Sequence, residues 1–128
     1  MSFVAKLISE IVMAEQAEYS ELEKRVDDLV RRRLDGEPVA YIIGEWEFYG
    51  LPLRVTPDVL IPRDDTVAVA QLAINQAIFL PSDPRVLDLC TGSGCIGLAI
   101  ASRIKDARVT LADISKEALA VAKKTTIA

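Results

Sequence analysis

Val86-Leu87-Asp88-Leu89-Cys90-Thr91-Gly92-Ser93-Gly94-Cys95-Ile96-Gly97 is the stretch whose reading decides the fold. An apolar run holding a single acid is followed by three glycines within six positions, and small and apolar residues then continue at helical spacing. That pattern predicts a strand over Arg85 to Leu89, a tight loop, and a helix over about Gly94 to Ile104. Glycine lets the backbone turn sharply and approach a ligand with no Cβ in the way. The helix that follows aims free N–H groups and a partial positive charge at whatever lies there.

Downstream, Arg108 to Ala112 reads as a second strand that ends at Asp113, nineteen residues after Gly94. Strand, helix and strand in about thirty residues form a right-handed crossover between parallel strands. Asp113 then stands where an acid accepts hydrogen bonds from ribose hydroxyls. A last helix starts at Ser115, a good cap, and runs through Ala118, Leu119 and Ala122. Doubly wound sheets have more than two strands and are covered on both faces, so the unit reads as the first part of a larger domain with a truncated parallel sheet.

Upstream, Pro81-Ser82-Asp83-Pro84 marks a turn that closes a helix over Asp65 to Leu80, with Asp64 or Asp65 offered as its cap. Alternation in Glu45-Trp46-Glu47-Phe48 and again in Leu53-Arg54-Val55, punctuated by Gly50, predicts a hairpin with one covered face. Pro57 and Pro62 bound a short extended run, Val59-Leu60-Ile61. In residues 1–36, apolar residues recur at helical spacing twice, through Val4, Leu7, Ile8, Ile11 and Val12 and through Leu22, Val26, Leu29, Val30 and Leu34. Ser20 with Glu23 forms a capping-box pattern ahead of the second series, and Gly36 with Pro38 stops it, so the segment predicts a helical hairpin. The fold class is therefore α/β: a helical module over 1–36, a β-hairpin and extended linker over 37–63, and a Rossmann-like domain beginning at 64.

Composition narrows the function classes. The 128 residues carry a formal net charge of −4, with 51% hydrophobic and 27% charged residues, as expected of a globular chain. Nucleic-acid surfaces need clustered cations. The one cluster, Arg31-Arg32-Arg33, reads as cations in the last turn of a helix, complementing its dipole, so no direct nucleic-acid partner is expected. No apolar run approaches the ~20 residues of a membrane span, and nothing resembles a signal peptide, so the expected location is cytoplasmic. Two cysteines and no histidine leave no usual four-ligand zinc site, and no metal is expected. Cys90 and Cys95 read as small, reduced, partly buried thiols.

The loop itself admits two readings. Gly92-Ser93-Gly94-Cys95-Ile96-Gly97 fits the G-x-G-x-x-G dinucleotide fingerprint, which points to NAD(P) or FAD and to an oxidoreductase fragment. From Asp88 the same residues read D-x-C-x-G-x-G, an acid at a strand end before a glycine turn, which is how S-adenosylmethionine is usually held. That donor carries an ammonium and a sulfonium and no pyrophosphate, so a carboxylate beside the loop favours it and repels a diphosphate. Asp88 tips the reading towards the methyl donor. Its plain structural alternative is a carboxylate satisfied by nearby backbone N–H groups. A third reading is a non-enzymatic module that binds a partner or self-associates through helices 1–36 and an exposed sheet edge.

In the order of its motifs the chain resembles the HemK/PrmC family, the methyltransferases that modify the glutamine of the Gly-Gly-Gln motif in peptide chain release factors. The resemblance rests on Gly36-Glu37-Pro38 with Tyr41-Ile42-Ile43-Gly44, Glu47-Phe48-Tyr49-Gly50, Val59-Leu60-Ile61-Pro62-Arg63-Asp64-Asp65-Thr66, the loop, and Ala112-Asp113-Ile114-Ser115. It implies S-adenosylmethionine as cofactor, a peptide chain release factor as protein substrate, and a role in translation termination. The implied cofactor-binding residues are Asp88, Cys90, Thr91, Gly92, Ser93, Gly94 and Asp113, with residues 1–36 as the docking module. Ile61-Pro62-Arg63 would pass near the cofactor, and the plain alternative for Arg63 is an ion pair with Asp64 or Asp65. Three features depart from the family pattern. Cys90 stands where many relatives have glycine, which is tolerable only if no positive φ is needed there. Val67 stands where an acid often follows the threonine. The Asn-Pro-Pro-Tyr motif that clamps the substrate glutamine is absent from the 128 residues. No catalytic residue is therefore assigned, and the chain is expected to be a fragment that binds the donor weakly or not at all and turns over nothing by itself.

Overall fold

The structure, a computed structural model, describes residues 3–80 and 82–125, with side chains from residue 8 onward. The chain divides into two compact units, residues 1–42 and 43–128.

The first unit is dominated by one helix, α1 (Phe3–Leu34), followed by the short α2 (Val39–Ile43), which the sequence pattern did not predict. The expected helical hairpin is not formed; both apolar series lie on the same continuous helix. The reason lies between them: Met13 to Glu21 contains neither glycine nor proline and is rich in Ala, Glu and Gln, so nothing breaks the backbone ladder. Ser20 and Glu23 sit mid-helix. The end of α1 is formed by the expected glycine. Gly36 takes φ +93°, its N–H donates to the Arg33 carbonyl at 3.1 Å, and the Glu37 N–H donates to the Arg32 carbonyl at 3.0 Å. This is a Schellman ending, which satisfies carbonyls that the helix leaves orphaned. The Arg32 guanidinium adds a two-pronged clasp on Glu37, at 2.7 and 2.6 Å, and that clasp holds the Glu37 carboxyl below its ordinary value.

The second unit is mixed α/β, as expected. Its hairpin pairs β1 (Glu45–Phe48) with β2 (Leu51–Arg54), antiparallel, with Phe48 opposite Leu51. The two turn residues, Tyr49 and Gly50, have φ of +51° and +82°, the sign a tight two-residue hairpin turn demands. Then come α3 (Thr66–Ile78), β3 (Arg85–Leu89), α4 (Cys95–Arg103), β4 (Arg108–Ala112) and α5 (Lys116–Lys123). β3 and β4 pair in parallel, Asp88 beside Leu111 and Leu89 beside Ala112, and Ser115 caps α5 by accepting the Ala118 N–H at 3.1 Å. Asp65 occupies the N-cap position of α3, but its side chain accepts no N–H there.

Period-2 geometry divides β3 cleanly. Val86 and Asp88 are half-buried, whereas Leu87 and Leu89 are exposed on the opposite face. The core lies on the first side, where Phe48 and Leu53 of the hairpin meet Ala70 of α3 and Ala99 of α4. Small residues let these helices approach closely. A Cβ added at Gly97 would collide with the Leu111 side chain and lie 3.0 Å from Asp88 Oδ2. At its other end, α4 holds the hairpin: Arg103 donates to the Tyr49 carbonyl at 2.6 Å and stacks 3.7 Å above the Tyr49 ring. Gly97→Ala is expected to destabilise the second unit by about 1–3 kcal/mol through overpacking, read as a lower midpoint in urea unfolding; an unchanged midpoint would mean that α4 does not press on β3 at Gly97.

Candidate functional site

The loop of residues 90–94 leaves the carboxyl end of β3 and is tied down on two sides by two carboxylates. Asp88 reaches forward under the loop. Its Oδ2 accepts the Thr91 hydroxyl at 2.6 Å and the Gly97 N–H at 2.9 Å. Gly97 is in the first turn of α4, where N–H groups have no helical acceptor. The N-cap residue, Gly94, has no side chain to offer, so an acid on the strand caps the helix from outside. The plain alternative foreseen for Asp88 is thus what the geometry contains, and the charge remains at the helix start.

Asp113 holds the other side. Its Oδ2 accepts the Gly92 N–H at 2.8 Å and its Oδ1 accepts the Ser115 N–H at 2.9 Å. The Ser115 and Gly92 bonds, opposed by partial desolvation, hold its carboxyl below the ordinary aspartate value. A carboxylate has about four acceptor positions, so two bonds leave room for hydroxyls of a ligand. The Thr91 N–H also donates to the Ala112 carbonyl at 3.0 Å, so the loop is stitched to the end of β4 twice.

The loop backbone suits a close-lying ligand. Gly92 has φ +56° and would meet nothing within 4 Å if it carried a Cβ, so bare backbone faces open space beside Asp113. Gly94, at φ +85°, is required for another reason: a Cβ there would lie 2.9 Å from the Leu98 side chain and 3.3 Å from Ala122. Thr91 and Ser93 are buried and polar; Thr91 is spent on Asp88, and Ser93 bonds the Cys95 thiol. Six of the seven expected residues, Asp88 and Thr91 to Gly94 with Asp113, converge on the carboxyl ends of β3 and β4.

The seventh, Cys90, differs from its expectation twice. It is exposed rather than partly buried, and it adopts φ +61°, the left-handed region that its sequence position was expected to avoid. The loop imposes that turn because Thr91 must double back to bond both Asp88 and Ala112. Cys95 is half-buried, and burial pushes its thiol pKa up, with the Ser93 hydrogen bond working against the shift. It is therefore no activated nucleophile. Arg63 is exposed and makes no ion pair with Asp64 or Asp65 among the described residues. Among those residues no cluster could hold a metal ion, and no helix is long and apolar enough to cross a membrane.

Two protein-family descriptions match the chain. Residues 68–128 match the methyltransferase small domain family, and residues 8–44 match the PrmC N-terminal domain family. A release factor glutamine methyltransferase from Neisseria gonorrhoeae is 46% identical over 104 residues, covering 81% of this chain and 37% of the relative. Those from Vibrio cholerae and Escherichia coli are 47% and 42% identical over 96 and 102 residues, covering 75% and 79% of this chain and 33% and 36% of theirs. The chain thus spans about a third of the length of these relatives.

Replacing Cys90 by glycine is expected to stabilise the unit by about 0.5–1 kcal/mol, because relief of the left-handed conformation outweighs the greater freedom of glycine in the unfolded chain. Thermal unfolding checks it, and a loss of stability would mean that the Cys90 side chain makes a stabilising contact. Asp113 has a depressed folded-state pKa, so its contribution is fully present above the unfolded value and is lost as pH falls through the folded one. Below about pH 4 the parent chain should lose stability more steeply than Asp113→Asn, measured by urea unfolding at each pH.

Proposed function

The chain belongs to the HemK/PrmC family of release factor glutamine methyltransferases, and on that premise we propose that it supplies the methyl-donor half of the apparatus that methylates the Gly-Gly-Gln glutamine amide of a peptide chain release factor. The observation that carries this reading is the Gly92–Asp113 bond, which fixes a bare glycine loop against an acid at the next strand's end. S-adenosylmethionine, when bound, supplies an electrophilic methyl group on a cationic sulfur.

The chain's own residues act by placement. Asp113, already oriented by the Gly92 and Ser115 N–H groups, keeps acceptor positions for ribose hydroxyls. Thr91 to Gly94 provide the backbone against which the methionine portion lies, and their conformation is held by Asp88. Asp88 also occupies the anion position at the start of α4, which disfavours a diphosphate there and supports the methyl-donor reading over a dinucleotide. Transfer to a weak amide nucleophile depends mainly on alignment, so a preset loop is the appropriate contribution from this part of the machinery. The substrate-facing Asn-Pro-Pro-Tyr is absent from the 128 residues. The helical module of residues 1–36 is assigned to docking the release factor.

Two-dimensional NMR titration tests the donor assignment even for weak binding. S-adenosylmethionine is expected to shift the amides of Thr91 to Gly94, Asp113 and Ser115, and Asp113→Ala is expected to weaken that response by about tenfold, as loss of charged hydrogen bonds to hydroxyls requires. NAD is expected to leave those amides unmoved. Shifts with NAD alone would reverse the assignment.

A further inference from the structure

Thr91 stands in the middle of the loop, yet each of its polar groups already has a partner inside the protein. The residue is buried, at 6% exposure. Its hydroxyl donates to Asp88 Oδ2 at 2.6 Å, a length typical of a hydroxyl on a charged carboxylate. Its N–H donates to the Ala112 carbonyl at 3.0 Å, and its carbonyl accepts the Gly94 N–H at 2.9 Å. One residue thus ties the loop to β3, to the end of β4 and to the N-cap of α4.

The next peptide group carries the consequence. The Gly92 N–H lies in the same plane as the Thr91 carbonyl, so fixing Thr91 fixes where that N–H points. It points to Asp113 Oδ2, 2.8 Å away. The second donor to Asp113, the Ser115 N–H at 2.9 Å, arises two residues on from the acid and does not pass through Thr91. The Gly97 N–H that reaches Asp88 at 2.9 Å likewise belongs to α4. We propose that Thr91 is a positioning residue for the donor site: its hydroxyl, held by Asp88, sets the Gly92–Asp113 bond and with it the seat of the donor's ribose, while the hydroxyl itself makes no contact with the donor. This role rests on the methyl-donor reading above and replaces the direct binding expected of the Thr91 side chain.

Thr91→Val and Thr91→Ser in the intact chain separate positioning from packing, because valine keeps the branched shape and loses the hydroxyl, whereas serine keeps the hydroxyl. Without donor, Thr91→Val is expected to speed water exchange at the Gly92 amide by about tenfold, as loss of a charged hydrogen bond requires, while the Gly97 and Ser115 amides stay within about twofold of the parent. Affinity for S-adenosylmethionine, followed by NMR titration, should fall about fivefold in Thr91→Val and stay within about twofold of the parent in Thr91→Ser. Unchanged Gly92 exchange in Thr91→Val, or equal loss of affinity in both variants, overturns the proposal. Faster exchange at Gly97 and Ser115 as well also overturns it, because that is a general loosening of the unit. A parent chain that does not respond to S-adenosylmethionine defeats the donor reading instead, and the exchange comparison still decides whether Thr91 sets the Gly92 N–H.

Discussion

The second unit depends on one charge-assisted contact, the Asp88 carboxylate beneath the first turn of α4. A helix start leaves N–H groups without partners, and an uncapped start inside a packed unit costs roughly 1–3 kcal/mol for each buried orphan. Gly94 is needed there for its left-handed φ and its closeness to Leu98 and Ala122, so the usual capping side chain cannot stand in that position. Moving the cap to the preceding strand meets both demands. It also couples strand, loop and helix, since the same oxygen receives Thr91 from the loop and Gly97 from the helix.

α4 then acts as the beam that joins the site to the hairpin. Its first turn is held by Asp88, its middle lies on Leu111 at Gly97, and Arg103 just inside its end grips the Tyr49 carbonyl and ring. Phe48 and Leu53 close the core against Ala70 and Ala99. A hairpin of two four-residue strands is marginal alone; here it is part of the packed layer that fixes the loop's floor.

The crossover was readable because its signals are local and agree with one another: an apolar strand, glycines, a second strand ending in acid, and a capping serine. β3, α4, β4 and the Ser115 cap all lie where those signals put them. Two features were hidden for physical reasons. The capping box at Ser20 and Glu23 resembled a helix start, yet a cap acts only where the backbone has left the helix, and the Ala- and Glu-rich residues before it gave no reason to leave. Cys90's left-handed backbone is imposed by the hydrogen bonds of its neighbour Thr91 to Asp88 and Ala112, which no propensity of cysteine foretells. Asp88 was singled out for its charge, with acceptance from backbone N–H groups as the plain alternative; that the donor is Gly97 emerges only when residue 97 returns over residue 88.

The electrostatic preference of the loop follows from counting charges at comparable range. The start of α4 carries the equivalent of about +0.5 elementary charge, the usual attraction for a phosphate. Against it stand two full carboxylates, Asp88 at the first turn and Asp113 at Gly92, the latter held ionised by its N–H bonds. The sum is about −1.5 near the loop, so a nearby anion is repelled on balance and a cation attracted. A diphosphate would meet that field with two negative charges and would find the Gly97 N–H already taken. A ligand with a sulfonium and an ammonium meets it with the opposite sign. The acids that make the loop rigid are therefore the same groups that set which charge it accepts.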